Sequence, residues 1–375
     1  MEYAFRAEQS RAEQSRAEQS RAEQSRAEQS RAERNSYIDF LRGIAALGII
    51  AIHTAFWAGQ SYTPAWFWNI TLLLDVPFFF YLSGWASSYK KCELKHVVKS
   101  LFIIWNKWIF FVSLVAIFCA FSRKLPIHFE GVVDLRDLIN NYMYNVSIPG
   151  FCVVAGSIWF MQYYFVIVLV NSIVMILFQK SNKIFEYKRL YMWMLIASFV
   201  WVHYGKYALG LDLTYFLFYS IFWMLGMNRK GKNKTLLSLM LTIALIAGAV
   251  CFASYLQQLP LYDLQSAKFP PTLKYGFASL FAVVIAKFFD GKYNRRCKML
   301  EHIGRNAIYY YFGQGIGSSI NFLVVERISI HSWLLKWIIT YAINVCMTII
   351  IAESIAWLYK AAEHRLVAAY VKSRI

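Results

Sequence analysis

Charged residues are scarce in this chain, and acidic residues are the scarcest among them. Asp, Glu, Lys and Arg make up 16% of the 375 residues, with 21 acidic against 39 basic side chains, whereas 58% of the residues are hydrophobic. A large soluble domain needs a more polar surface than this composition supplies, so that class is excluded. Many apolar segments of about 20 residues instead predict an all-α polytopic membrane protein.

Cysteine and histidine occur only as scattered single residues. None of the six cysteines belongs to a C-x-x-C pair, so the sequence supports neither a zinc site nor a disulfide framework. The seven histidines have no H-E-x-x-H or similar ligand spacing. We therefore predict no metal site and no permanently bound cofactor.

Ten apolar segments predict about ten transmembrane helices. They are 41–59, 66–89, 100–121, 157–178, 190–204, 211–227, 235–256, 273–289, 306–325 and 333–359. Lys and Arg concentrate at both ends of the chain and in alternate connections, which the positive-inside rule assigns to the cytoplasm. The net charge of +18 therefore reports topology, and membrane lipids, not nucleic acid, are the predicted partner. The sequence gives no oligomeric state.

An unusual repeat precedes the first apolar segment. Residues 6–30 are five copies of Arg-Ala-Glu-Gln-Ser. A period of five residues turns successive copies by about 140° around a helix and builds no apolar stripe. We predict a solvated cytoplasmic arm over 1–35, a ten-helix membrane domain over 36–360 and a cytoplasmic tail over 361–375.

Two ionisable residues lie on the first apolar segment. Arg42 and His53 are eleven residues apart, which places them on one helix face, separated by about 16 Å of rise. Asp39 precedes Arg42 by three residues and can hold its guanidinium on the same face. An ionisable residue inside a span is costly and by default marks a functional site.

Five short motifs follow one another along the chain. They are Tyr37-Ile-Asp-Phe-Leu-Arg-Gly-Ile-Ala followed by His53, Asp75-Val-Pro-Phe-Phe-Phe-Tyr-Leu-Ser-Gly-Trp, Ser157-Ile-Trp-Phe-Met, Lys268-Phe-Pro-Pro and Ile303-Gly-Arg-Asn-Ala-Ile-Tyr-Tyr-Tyr. In this order they resemble the membrane-bound acyltransferase-3 family, in its stand-alone surface-glycan O-acetyltransferase form.

The resemblance implies transfer of an acyl group, usually acetyl from cytoplasmic acetyl-CoA, to a hydroxyl of a cell-surface glycan. It points to a bacterial inner membrane and to O-antigen, common antigen, capsule or exopolysaccharide as acceptor. Arg42 is suited to hold phosphate or amide oxygens of CoA with its forked donor. His53 can act as general base on the sugar hydroxyl or as a transient acyl carrier.

Donor-side candidates have structural alternatives. Lys95 and Lys99 recur at i, i+4 before the third span and can pair with CoA phosphates, or can simply set topology. Trp159 can line the acyl channel, or can belong to the tryptophan belt at the membrane interface.

Acceptor-side candidates also have structural alternatives, and they are Asp75, Lys268, Gln314 and Glu353. Asp75 can orient His53 or bind the acceptor, and Glu353 lies within the tenth span and needs a partner. Many relatives carry a histidine in the ninth span, where this chain reads Tyr311-Phe-Gly-Gln314. The connections 122–156 and 257–272 can form an acceptor-binding rim or can simply close helix ends.

Two other functional classes remain open. A secondary transporter or lipid-linked glycan flippase would also have about ten spans and buried polar residues, but repeated halves and paired Gly/Pro-broken helices are not obvious here. A receptor or sensor could use the repeat arm to bind a partner. A transporter moves its solute without consuming acetyl-CoA, which separates it from an acyltransferase.

Overall fold

A computed structural model describes residues 36–89, 91–122, 152–157, 159–181, 183–204, 211–228, 235–292 and 297–372. Within these ranges every regular element is a helix, in agreement with the predicted all-α class. The repeat arm and most of the connection 122–156 lie outside the described residues. The predictions for those two segments therefore stay predictions.

The chain runs through α-helices joined mostly by short connections. They are α1 (Ser36–His53), α2 (Ala65–Thr71), α3 (Val76–Ser87), α4 (Leu94–Ser122), α5 (Cys152–Ser157), α6 (Phe160–Phe178), α7 (Ile184–Tyr204), α8 (Leu211–Met227), α9 (Leu236–Leu256), α10 (Leu273–Phe289), α11 (Lys298–Arg305), α12 (Ala307–Val325) and α13 (Trp333–Lys372). A π-helical turn, Thr54–Ala58, continues α1, and a 3-10 turn, Leu72–Leu74, continues α2.

Six helical segments of the described chain are long and apolar enough to cross a membrane. They are Ser36–Ala58, Ala65–Ser87, Leu94–Phe118, Phe160–Phe178, Leu236–Leu256 and Trp333–Arg365. A helix occupies each of the four remaining predicted segments as well, but none of these four combines that length with that hydropathy in the described chain. The count of ten spans and the cytoplasmic position of both termini stay predictions.

The second apolar segment is interrupted at Asp75. The backbone of Asp75 is extended, with φ −121° and ψ −168°, and its carboxylate accepts a hydrogen bond from the Val76 backbone nitrogen at 2.7 Å. Asp75 thus caps α3. Pro77 follows in the first turn of α3, where the missing proline N–H leaves no helical bond unmade. The interruption turns a charged side chain into the interior of the helix bundle.

Glycines allow α11 to approach α1 closely. A Cβ atom on Gly304 would collide with the carbonyl oxygen of Asp39, and a Cβ atom on Gly43 would collide with that of Leu300. The contact lies beside Arg42, which follows Asp39 by three residues. A larger residue at either glycine would therefore push α11 away from the part of α1 that carries Arg42.

Candidate functional site

His53 is the last residue of α1, and the π-helical turn Thr54–Ala58 begins directly after it. π-Helical turns are rare in proteins, and those that do occur are often found at functional sites. His53 lines a cavity of about 170 Å³, together with Asp75, Trp159, Lys268 and Tyr311. We call this space the histidine cavity.

Gln314 of α12 sets the orientation of the His53 ring. The Nδ1 atom of His53 donates a hydrogen bond to Oε1 of Gln314, because an amide oxygen can only accept. The neutral ring then carries its proton on Nδ1 and keeps the lone pair on Nε2. Gln314 itself is buried, so its amide is held inside the bundle. The arrangement leaves Nε2 able to take a proton from a hydroxyl group.

A buried ion pair forms part of the wall of the histidine cavity. Lys268 Nζ lies 2.7 Å from Asp75 Oδ2, and the same oxygen accepts a hydrogen bond from the Tyr275 hydroxyl at 2.7 Å. The Asp75 side chain is 1% exposed and the Lys268 side chain 9%. A charge buried this deeply is tolerated only with a well-placed partner. Each residue therefore holds the other in position beside His53.

A second cavity, of about 250 Å³, lies beside the start of α1. Cationic side chains enter its wall from three helices, Arg42 from α1, Lys107 from α4 and Arg305 from α11. We call it the arginine cavity. Asp39 Oδ1 lies 3.6 Å from Arg42 Nη1, and Lys107 Nζ lies 4.9 Å from the centroid of the Tyr309 ring. Guanidinium and ammonium groups that converge in this way suit a phosphate-bearing ligand.

Tyr311 lies between the two cavities and lines both. Its hydroxyl donates a hydrogen bond to the carbonyl oxygen of Ser157, and its ring is edge-on to Phe160 with centroids 4.7 Å apart. Tyr311 precedes Gln314 by three residues, so both project from one face of α12. Among the described residues, Tyr311 is the one that lines both cavities.

Polar side chains also tie three helices together immediately beyond His53. Asn344 Nδ2 of α13 donates to Thr54 Oγ1 and to Ser318 Oγ of α12, both at 2.9 Å. All three residues are buried. Breaking one such bond leaves a buried polar atom unsatisfied at a cost of about 1–3 kcal/mol. The network therefore fixes the end of α1 relative to the helix that carries Gln314.

The predicted residues separate into a group at His53 and a group at Arg42. Trp159, predicted on the donor side, lines the histidine cavity. Its ring is edge-on to Phe269, with centroids 5.3 Å apart. Asp39 is paired with Arg42, as its spacing on α1 predicts. The structure therefore places Trp159 with Asp75 and Lys268, away from the arginine cavity.

Three other predicted residues lie apart from both cavities. Lys95 and Lys99 are exposed on the first turns of α4 and line neither cavity. Glu353 also lines neither cavity, and its Oε1 atom accepts hydrogen bonds from the Tyr310 hydroxyl and from His302 Nε2, both at 2.7 Å. These bonds join α13 to α12 and α11. Glu353 thus has a structural position in the helix bundle.

The sequence offered signals for three further residues that the prediction did not use. Lys107 is a charge inside an apolar segment, Arg305 lies within the motif that begins at Ile303, and Tyr311 precedes Gln314 by one helical turn. The charges of Lys107 and Arg305 looked like topology signals. Only the tertiary packing of the helices brings both residues into the same cavity wall as Arg42.

One helix, α1, thus carries both Arg42, in a cavity lined by three cations, and His53, whose ring is oriented by Gln314. The model of the acyltransferase-3 family, described as an acyltransferase domain, matches residues 35–357. No curated protein and no solved structure matches the chain.

Proposed function

Because the chain belongs to the acyltransferase-3 family and is a membrane acyltransferase, we propose that it transfers an acetyl group from acetyl-CoA to a hydroxyl of a bacterial surface polysaccharide. The observation that carries this proposal is the pair of cavities along α1. The arginine cavity supplies cations for the donor, and the histidine cavity supplies a base with an oriented ring.

The donor binds with its phosphates toward the arginine cavity. Arg42 offers a planar fork for phosphate oxygens, and Lys107 and Arg305 add charge from two other helices. About 16 Å of helix rise separate Arg42 from His53. The pantetheine arm of CoA is of comparable length, so the thioester reaches past Tyr311. Lys95 and Lys99, both exposed on α4, attract the donor from a distance.

The chemical step takes place at Nε2 of His53. Nε2 removes the proton of the sugar hydroxyl while the oxygen attacks the thioester carbonyl carbon. The carbon–oxygen bond forms, the carbon–sulfur bond breaks, and the proton passes from the imidazolium to the CoA thiolate. Gln314 accepts from Nδ1 throughout and stabilises the imidazolium that forms. The products are the O-acetylated sugar and CoA.

The ion pair of Asp75 and Lys268 shapes the acceptor side. Lys268 can donate to the thioester oxygen as negative charge develops there, while Asp75 keeps the ammonium group in place. The proposal puts this side toward the outside of a bacterial inner membrane and the arginine cavity toward the cytoplasm. Acetyl-CoA is then drawn from the cytoplasm, and the glycan is modified on the opposite side.

Mass spectrometry of the surface glycan tests the proposal. A strain that lacks the gene should have a glycan without the acetyl groups that the complemented strain adds, and a His53→Ala complement should resemble the strain without the gene. Identical glycan masses in all three strains would contradict acetylation. For the purified chain, consumption of acetyl-CoA that depends on the glycan distinguishes the enzyme from a transporter or flippase.

A further inference from the structure

A third cavity adjoins the histidine cavity and shares no lining residue with the arginine cavity. Its volume is about 820 Å³, within the range of about 300–1,000 Å³ typical of small-molecule sites. It shares Phe56, Trp57, Gln265 and Phe269 with the wall of the histidine cavity. We call it the aromatic cavity, and these four shared residues place it beside the space that contains His53.

Aromatic rings from three parts of the chain form its walls. Trp57 comes from the π-helical turn after His53, Trp68 from α2, and Tyr262 and Phe269 from the connection between α9 and α10. Trp68 is held in place, since Nε1 donates to Thr63 Oγ1 and the ring lies 5.7 Å from that of Phe56. Tyr262 and Phe269 remain 61% and 42% exposed.

Polar side chains stand between these rings. Asn69, Gln265 and Asp263 line the same cavity. Asp263 is oriented by Ser266, whose backbone nitrogen and hydroxyl donate to its carboxylate at 3.0 and 2.6 Å. Asn69 Nδ2 donates to the Ala65 carbonyl oxygen at 2.8 Å, which fixes the amide at the cavity wall. Amide and carboxylate groups in fixed positions can bind hydroxyls.

We propose that the aromatic cavity binds a neutral pyranose ring of the acceptor glycan and presents its hydroxyl to His53. The inference rests on the proposed function for the acceptor class and adds the subsite and the ring chemistry. A pyranose has apolar C–H faces that pack on aromatic rings and hydroxyls around its rim that bond to polar side chains. A lipid tail would offer no hydrogen-bond partner to the polar side chains of this wall, Asn69, Gln265 and Asp263.

The charge of the lining selects a neutral ring. Asp263 is the only charged residue among the described residues that line the aromatic cavity. The neighbouring Lys274 is fully buried behind this wall, and its ammonium group donates to the backbone carbonyl oxygens of Pro260 and Asp263. A uronic acid would bring a second carboxylate close to it in a partly desolvated space, and like charges there repel. The matched pair of probes is therefore methyl β-glucopyranoside and methyl β-glucuronopyranoside, which differ only at C6.

Saturation-transfer NMR on the full chain in lipid nanodiscs tests binding directly. The ring protons of methyl β-glucopyranoside should receive saturation from the wild-type protein, and those of the glucuronopyranoside should receive much less. Tyr262→Ala should weaken the signal, and Trp57→Ala should weaken it further. Tyr255→Ala is the matched control, because Tyr255 is 81% exposed on α9 and does not line the cavity.

Transfer kinetics supply a second, independent readout. Tyr262→Ala should raise the apparent KM for the glycan roughly three- to tenfold, the effect expected for one lost aromatic contact, and should leave the KM for acetyl-CoA unchanged. An unchanged glycan KM in both Tyr262→Ala and Trp57→Ala would overturn the inference, as would absent saturation transfer or stronger binding of the glucuronopyranoside.

The two readouts also separate this inference from the proposed function. Glucopyranoside binding that persists in His53→Ala and is lost in Trp57→Ala supports the subsite, even if the wild-type chain transfers no acetyl group. Acetyl transfer to the glycan without any effect of Trp57 or Tyr262 overturns the subsite and leaves the proposed function standing.

Discussion

The arginine cavity and the histidine cavity lie at opposite ends of one helix but differ in how their charges are balanced. In the arginine cavity, Arg42, Lys107 and Arg305 are the charged lining residues of the described chain, and all three are cations. In the histidine cavity, Lys268 is matched by Asp75 at 2.7 Å. An excess of cations suits a ligand that brings several negative charges. A balanced pair suits a reaction between uncharged groups in which charge develops only transiently.

Under the proposed function, donor binding belongs to one end of α1 and the chemical step to the other. Substitutions of His53 and Asp75 in the histidine cavity should lower the turnover number or the stability. Substitutions in the arginine cavity should raise the donor KM. The expected effects can be ranked from the loss of the base to a deletion with no effect.

His53→Ala should give the largest loss. Removing a general base typically lowers the rate by about 10²–10⁴-fold, and the protein should remain folded. Acetyl transfer by the purified variant measures the effect. His96→Ala is the control, because His96 is exposed on α4 and should retain full activity. Near-normal transfer by His53→Ala would remove the chemical role from the histidine cavity.

Asp75→Asn should give the largest loss of stability. The substitution leaves Lys268 buried without its carboxylate, which costs about 3–5 kcal/mol for a buried pair. The unfolding free energy in denaturant measures it. Glu93→Gln is the matched control, because it removes the carboxylate of the pair that Glu93 forms with His96. The two side chains are 54% and 68% exposed, and an exposed pair contributes about 0–1 kcal/mol to stability. Equal losses of unfolding free energy in Asp75→Asn and Glu93→Gln would contradict the claim that Asp75 balances the buried charge of Lys268.

Gln314→Leu should lower the turnover number about 10- to 100-fold while leaving both KM values unchanged. The lost bond is made to an imidazole that becomes charged, and such bonds contribute about 1.5–3 kcal/mol. Gln314→Glu keeps an oxygen at this position and should retain more activity than Gln314→Leu. Equal activity of the leucine variant and the wild type would show that the ring needs no support from α12.

Arg42→Lys should raise the KM for acetyl-CoA by about tenfold, because the charge is kept and the planar fork is lost. Steady-state kinetics at saturating glycan measure it. Lys95→Ala and Lys99→Ala remove exposed charges outside the cavity and should have smaller effects that disappear at high salt. If Lys95→Ala or Lys99→Ala raises the KM for acetyl-CoA more than Arg42→Lys does, the donor phosphates bind on the surface of α4 and not in the arginine cavity.

Deletion of residues 6–30 should have the smallest effect. The repeats contain no apolar face and precede every motif, and Arg31, Arg34 and Arg42 keep the N-terminus basic. Insertion into the membrane and acetyl transfer should match those of the full chain. Loss of transfer in a correctly inserted deletion would make the arm part of donor binding or assembly.

The sequence predicted the helices better than the contacts between them. The length of the ten apolar segments predicted helices, and the structure has a helix at each of them. The physical reason is that backbone polar groups in lipid must form hydrogen bonds within their own segment. Apolar length did not predict α11, which is short, amphipathic and located in a segment interpreted as a cytoplasmic connection. Nor did it predict the interruption of the second segment at Asp75, where a local cap and a proline act together.

Spacing along one helix predicted part of the site. The pairing of Asp39 with Arg42 follows from three residues of separation on α1. The contact between His53 and Gln314 joins residues 261 positions apart, and Lys268 reaches Asp75 from a different connection. Such contacts depend on how helices pack, and no local pattern encodes that. Motif resemblance identified Lys268 as a candidate without identifying its partner.

Acetyl transfer across a sealed bilayer tests the central claim most directly. Proteoliposomes with acetyl-CoA on the side of the arginine cavity and glycan only on the opposite side separate the two substrates by the membrane. Transfer through α1 predicts acetylated glycan outside and free CoA inside, with neither product in His53→Ala vesicles. Acetylation only when both substrates share one side, or glycan movement without consumption of acetyl-CoA, would contradict the division of α1 into a binding end and a chemical end.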